Sequence, residues 1–314
     1  MSIFDQKVIK YEMKPLSSLE KVFPDETPVY RMECQMLSGL WGETVSFQVA
    51  YTGDFVMRER LDVRVVSELA EHVHVRTVEM VPVGRATNGI VDDNYLKTTS
   101  GLYPDLLKDL KDGKVIVYSR QWRSLWVDVD ITNEIPAGEY EIELQLIKEG
   151  EVVCSAKQKV TVIGTELPKL DIMHTEWMHA DCLADYYHVE VFSEEHWKLL
   201  ENYFQEYVKR DCNMMLTPLF TSPLDTAIGL ERTTCQLIDV EVKDGEYVFG
   251  FEKLKRWIDL CKKCGIEYFE MSHLFSQWGA KYAPKVVATV NGKKEKIFGW
   301  HTPAVGEYTK FLES

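Results

Sequence analysis

From Val29 to Gly164 apolar residues recur mainly at every second position. Val45, Phe47 and Val49 alternate with polar neighbours, as do Val127, Val129 and Ile131, and again Tyr140, Ile142, Leu144 and Leu146. A period of two puts one face of a strand into a core and the other into water. Turn residues part the runs: Asn133-Glu-Ile-Pro-Ala-Gly138 is one such stretch, and Glu149-Gly150 predicts a hairpin between Ile147 and Val152. Repeated strands with short turns predict an antiparallel β-sandwich. Tyr103-Pro-Asp-Leu-Leu107 reads as a loop or short helical turn, and Glu166-Leu-Pro168 as a joint between domains.

Beyond that joint the period changes. Leu170 to Met173 predicts a short strand. Ser193 then caps a helix on which Trp197, Leu200, Phe204 and Tyr207 share a face, with Glu194 and Glu195 favourable at its N-terminus. Asn213 to Leu216 is the next predicted strand. Leu237 to Val242 and Tyr247 to Phe251 pair as a hairpin across Lys243-Asp-Gly245, and a second helix carries Leu254, Trp257, Ile258 and Cys261 up to its stop at Gly265. Ile266 to Met271 is the third strand. Asn291-Gly292 marks a further hairpin between Val286–Val290 and Lys296–Trp300, and a last short helix begins near Gly306.

Strands alternating with helices imply parallel pairing with helical crossovers. An eight-unit barrel takes about 250 residues, more than remain after Leu170. The expectation is therefore a multidomain β and α/β chain: an N-terminal antiparallel β-sandwich domain over residues 1–166, followed over 167–314 by a truncated (β/α)8 TIM-type barrel.

Composition narrows the function classes. The chain of 314 residues is 45% hydrophobic and 27% charged, ordinary for a folded protein. A net charge of −14 disfavours nucleic acid as a partner. The N-terminus lacks the basic and apolar stretches of a signal peptide, no segment is long and apolar enough to span a bilayer, and seven cysteines lie scattered without a framework. The expected location is the cytoplasm, away from membranes. Cys261-Lys-Lys-Cys264 has no second pair to complete a zinc site and reads as helix cysteines.

In a barrel, chemistry collects on the loops after the strands. After the first predicted strand come His174, Glu176, Trp177, His179, Asp181, Asp185, Tyr187 and His188; after the second, Thr217-Pro-Leu-Phe-Thr221; after the third, His273, Gln277 and Trp278. Aromatic faces beside hydrogen-bonding groups suit a pyranose, which has an apolar C–H face and a rim of hydroxyls. Trp177, Tyr187 and Trp278 are candidates to stack, and His179, Asp181 and His273 to bind hydroxyls. His174, His179, Asp181 and His188 occupy an irregular segment without metal-ligand spacing, so no metal is expected. Glu176 alone cannot cleave a glycosidic bond, which takes two carboxyl groups or one acid plus a substrate acetamido group; it reads as a hydroxyl ligand.

Residues His174-Thr-Glu-Trp177, Asp181-Cys-Leu-Ala-Asp-Tyr-Tyr187, Leu216-Thr-Pro218, Phe249-Gly-Phe251 and His273-Leu-Phe-Ser-Gln-Trp-Gly-Ala280 resemble the catalytic domain of glycoside hydrolase family 123. Gln121-Trp122, Trp126-Val-Asp-Val129 and Pro136-Ala-Gly-Glu-Tyr140 resemble that family's N-terminal sandwich. The resemblance implies a β-N-acetylgalactosaminidase-like, retaining reaction on a carbohydrate with a terminal β-N-acetylhexosamine. The substrate's 2-acetamido oxygen attacks, an Asp orients that group, an adjacent Glu protonates the leaving oxygen, and no cofactor is required. The one adjacent Asp-Glu here is Asp25-Glu26, ahead of the sandwich strands, so the catalytic pair is expected beyond Ser314 and no catalytic residue is assigned.

Two functions follow: a glycosidase of which these residues are an N-terminal portion, inactive alone, or a non-catalytic carbohydrate-binding or interaction protein on the same fold. An unclosed barrel also predicts self-association through bare strand edges.

Overall fold

The computed structural model describes the chain except for residues 1–9, 30–35, 56–57, 88, 90, 92–94, 170 and 278. It divides into two compact units, residues 1–169 and 170–314.

In the first unit one five-stranded sheet has the order β1 (Lys10–Ser17), β3 (Thr44–Asp54), β8 (Arg123–Asp130), β5 (Val73–Val83), β6 (Gly101–Asp109). The other runs β2 (Met36–Trp41), β10 (Glu151–Glu166), β9 (Gly138–Lys148), β4 (Glu59–Val66), β7 (Lys114–Val117). Phe47, Val49, Leu125, Val127 and Val129 of the first sheet share one core with Ile142, Leu144, Leu146, Val160 and Val162 of the second. This is the sandwich that the alternation predicts, and the Glu149-Gly150 hairpin joins β9 to β10 in the expected register.

Three features depart from expectation. β2 runs parallel to β10, so the sandwich is not wholly antiparallel. The cause is local: after β2 the chain turns through residues 42–43 into β3 of the opposite sheet, so no hairpin dictates its direction. Tyr103–Leu107, expected as a loop, lies inside β6. Pro104 is tolerated because β6 is an edge strand and its register shifts opposite Glu79 and Met80. The outer face of β3 is not in water either, since Ala50 is buried with Leu16, Val22 and Trp122 in a small second cluster.

The second unit begins with α1 (Ala180–Tyr187) and α2 (Glu194–Val208). Ser193 caps α2 by accepting the His196 N–H, as expected. Next come β11 (Met214–Thr217), the hairpin β12 (Asp239–Lys243) and β13 (Glu246–Gly250), then α3 (Glu252–Cys264) and β14 (Tyr268–Met271). Trp197, Leu200 and Phe204 of α2 pack with the fully buried Trp257 and Cys261 of α3, and Gly265 ends α3 with φ of 104°. Cys261-Lys-Lys-Cys264 is thus part of a packed helix, and the six described cysteines are free; Cys34 lies outside the described residues.

β11 and β14 pair in parallel, from Met214 opposite Tyr268 to Thr217 opposite Met271. The strand expected from Leu170 to Met173 does not form among its described residues, 171–173. The chain still lies beside β11, but the Asn213 side chain takes the place of a ladder: its Oδ1 accepts the His174 N–H at 2.8 Å and its Nδ2 donates to the Ile172 carbonyl at 2.8 Å. The parallel sheet described is therefore two-stranded, and a barrel is not what these residues form by themselves.

The hairpin β15 (Val286–Val290) and β16 (Lys293–Phe298) turns through Asn291 and Gly292, both at positive φ, which the tight two-residue turn demands. Parallel pairing of β12 with β15 joins the two hairpins into one four-stranded sheet. Its apolar face packs Val240, Val286 and Phe298 against Tyr308 and Phe311 of α4 (Glu307–Glu313). No described helix is long and apolar enough to cross a membrane.

Candidate functional site

The C-terminal ends of β11 and β14 are fixed from several sides. The Ser272 N–H donates to the Thr217 carbonyl at 2.9 Å, and buried Tyr308 donates its hydroxyl to the Leu274 carbonyl at 2.6 Å. Ser276 closes the loop after β14 by exchanging bonds with Tyr282. These contacts hold His273 in place between two buried serines.

Trp177 stands over this loop. Its indole N–H donates to Glu270 Oε2 at 3.0 Å, and its ring meets His273 edge to face, with centroids 5.6 Å apart and planes at 78°. The residue is nonetheless 47% exposed. An aromatic surface open to solvent, with a carboxylate and an imidazole against it, presents both kinds of contact that a pyranose requires. Gln277 is half-buried in the same loop, and Trp278 lies outside the described residues.

Glu270 is not among the residues that the sequence singles out, because it lies within β14 and not after it. A signal existed: Phe269 belongs to the apolar cluster under the helices, so alternation turns Tyr268 and Glu270 to the opposite face.

The other expected residues separate from this group. His174 and Glu176 lie at the wrong end of β11: His174 bonds through its backbone to Asn213, its Nδ1 is 3.2 Å from the Asp211 carbonyl, and its Nε2 is 3.5 Å from Glu176. Glu176 is anchored there by Tyr207, whose hydroxyl accepts the Glu176 N–H at 2.8 Å and lies 2.7 Å from the Met214 carbonyl. Burial raises the Tyr207 phenol above its usual range, which keeps it a neutral donor.

The segment expected to be irregular contains α1, and that helix redirects its side chains. Asp181 is buried and takes two bonds from Arg232, Nε at 2.8 Å and Nη2 at 3.1 Å. Its carboxylate is closed to sugar hydroxyls and instead pins the loop after β11. Asp185 does the same through the Thr233 hydroxyl. His179 begins α1, with Nε2 2.6 Å from Asp225 Oδ2 in that loop. Tyr187, at the far end of α1, bonds Tyr203 of α2 at 3.0 Å, hydroxyl to hydroxyl, and has no part in the Trp177 group. His188 ends the helix in the left-handed region.

Residues 177–314 match the glycoside hydrolase 123 catalytic domain. They belong to glycoside hydrolase family 123. The Trp177, Glu270 and His273 group falls inside the family segment, whereas His174 and Glu176 precede it.

The structure of a family 123 glycoside hydrolase from Clostridium perfringens, studied for glycolipid glycan hydrolysis, is similar over 97% of this chain with a TM-score of 0.67 at 14% identity. At that identity the likeness is one of fold. The chain spans 55% of that enzyme's length. A β-glucosidase from Listeria innocua in complex with isofagomine is 10% identical over 51% of this chain and 17% of its own, with a TM-score of 0.24, too low to carry an argument. No curated protein matches the chain.

Proposed function

We propose that this chain carries the sugar-holding part of a β-N-acetylgalactosaminidase-like glycoside hydrolase, with Trp177 as the platform for a terminal β-linked N-acetylhexosamine. The observation that carries the reading is the exposed indole held between Glu270 and His273 at the ends of β11 and β14. The C–H face of the sugar stacks on the ring, while Glu270 and His273 take hydroxyls at its rim. The strand–helix–strand run of β11, α3 and β14 supports a (β/α)-barrel catalytic domain over 167–314, behind a sandwich domain over 1–166.

The proposed reaction is retaining. The substrate acetamido oxygen attacks the anomeric carbon, one carboxylate stabilises the oxazolinium charge, and a second carboxyl protonates the leaving oxygen. Neither role fits the described carboxylates around Trp177. Asp181 is closed by Arg232, and Glu270 has no acidic neighbour in sequence. The adjacent pair Asp25 and Glu26 sits in the first unit, exposed and bridged by Lys97 at 3.5 and 2.7 Å. Residues 1–314 are assigned the binding of the sugar, and no catalytic pair is assigned among them.

The clostridial relative's action on glycolipid glycans makes such a glycan the substrate class to try first. The same lack of a catalytic pair favours a second reading, a carbohydrate-binding protein without catalysis.

The direct test is turnover of p-nitrophenyl β-N-acetylgalactosaminide by residues 1–314, which should be absent. Turnover that survives Asp25→Ala and Glu26→Ala would show that a catalytic pair lies elsewhere in the chain.

A further inference from the structure

A cavity in the sandwich unit lies far in sequence from the family segment. It has a volume of about 700 Å³ and opens between the two sheets along the side where edge strands β6 and β7 follow one another in the chain. Buried Tyr51, Val78 and Val115 form its floor.

Its charge runs against that of the protein. Arg58, Arg60, Lys108, Lys111, Lys114 and Arg123 line it, against Glu59, Glu79 and Asp109, in a chain of net charge −14. The carboxylates are largely occupied: Glu59 accepts from Tyr11 and from Lys148, and Glu79 accepts the Thr77 hydroxyl. Of the cations, Arg60 pairs with Asp112 and Lys114 with Asp62. Among the described residues Arg58, Lys108 and Lys111 form no ion pair.

Arg123 is the most telling. Its Nη2 donates to Gln121 at 2.9 Å and its guanidinium lies 5.0 Å from the Tyr118 ring centre, yet its Nε is buried without a hydrogen-bond partner among the described residues. A buried donor left unmade is costly, and a charged one more so. The Arg123 guanidinium lines the cavity, and the excess of cations around it selects an anionic ligand.

We infer that this cavity binds an anionic group, a sulfate ester or a carboxylate, carried on an oligosaccharide, with Arg123 as its anchor and Lys108 at its rim. The saccharide part rests on the glycosidase reading above; the anion part stands on the cavity alone. Such a site would give the sandwich a role in recruiting acidic glycans.

The test is calorimetric titration of the full chain with four probes: a disaccharide bearing one sulfate ester, its uronic-acid counterpart, the uncharged disaccharide and inorganic sulfate. Binding of a charged disaccharide, with the uncharged one failing to bind at the sandwich, is expected. Which charged one binds names the group. Arg123→Gln should weaken it about tenfold or more, the scale of one charge-assisted hydrogen bond.

Lys108→Glu, on an exposed residue that should not disturb folding, should weaken it as well, while Trp177→Ala should leave it intact. That last variant separates this site from the barrel loops. Equal binding of charged and uncharged sugars, no binding of either charged sugar, or unchanged affinity in both Arg123→Gln and Lys108→Glu would overturn the anion site. Inorganic sulfate binding as tightly as the sulfated sugar would overturn the saccharide assignment.

Discussion

Trp177 and Glu270 are 93 residues apart in sequence and joined by a hydrogen bond of 3.0 Å from indole to carboxylate. The bond fixes the rotation of an exposed ring and orients one carboxylate oxygen, leaving the other for a ligand. Glu270→Gln should therefore keep the indole partner but lose the charge. Loss of a charge-assisted bond to a sugar hydroxyl should weaken N-acetylgalactosamine binding about tenfold or more, with little change in melting temperature. Titration followed by tryptophan fluorescence checks this.

Asp181 and Arg232 form a buried, two-pronged ion pair, with side chains 8% and 10% exposed. Asp181→Ala leaves a buried guanidinium uncompensated and should cost about 3–5 kcal/mol in urea unfolding. The double variant Asp181→Leu, Arg232→Met should cost much less, because both charges leave together. Equal destabilisation in the two cases would mean that the pair does not act as a unit.

His196 is fully buried, accepting the Phe192 N–H at Nδ1 and lying 2.9 Å from the Ala180 carbonyl at Nε2. Burial lowers its pKa below the ordinary value, against weaker opposing pulls from the Ala180 carbonyl and the Asp181 charge. The sign follows from proton counting. Below about pH 6.5 the unfolded chain takes up a proton that the fold refuses, so stability falls as pH drops through that range; well above it both states are neutral and the residue contributes no slope. Unfolding at pH 7.5, 6.5 and 5.5 should show a shallower decline in His196→Gln than in the parent.

β14 pairs only with β11 among the described residues, and Tyr268 and Met271 on it are 43% and 46% exposed. A bare edge with apolar side chains favours association. Light scattering after size exclusion should show mass rising with concentration, and Met271→Lys should reduce the rise. A parent that stays monomeric throughout would refute this.

Local signals carried most of the fold. Ser193 before two glutamates, Gly265 after Cys264 and Asn291-Gly292 between alternating strands each dictate backbone geometry within a few residues, and each appears where the sequence predicts. What failed depended on distant partners. Ala180–Tyr187 shows no clean apolar stripe because Asp181 is buried by Arg232, 51 residues on, an exchange that no local period reveals. The strand expected at 170–173 is replaced by side-chain bonding from Asn213, and Tyr103–Leu107 reads as a loop because Pro104 is tolerated only on an edge.

The site was half legible for the same reason. Trp177 and His273 stand out as aromatics and imidazoles after strand positions, and they meet. The carboxylate that Trp177 bonds, Glu270, hides inside a strand, while Asp181 and Tyr187 carry the right chemistry toward structural partners.

The most direct measurement is isothermal titration of residues 1–314 with a β-linked N-acetylgalactosaminide, repeated with Trp177→Ala. Saturable binding that the variant loses, at least about tenfold in affinity for the removal of one stacking ring, is expected. Binding that is undiminished in Trp177→Ala, or absent from the parent, would contradict a sugar platform at Trp177.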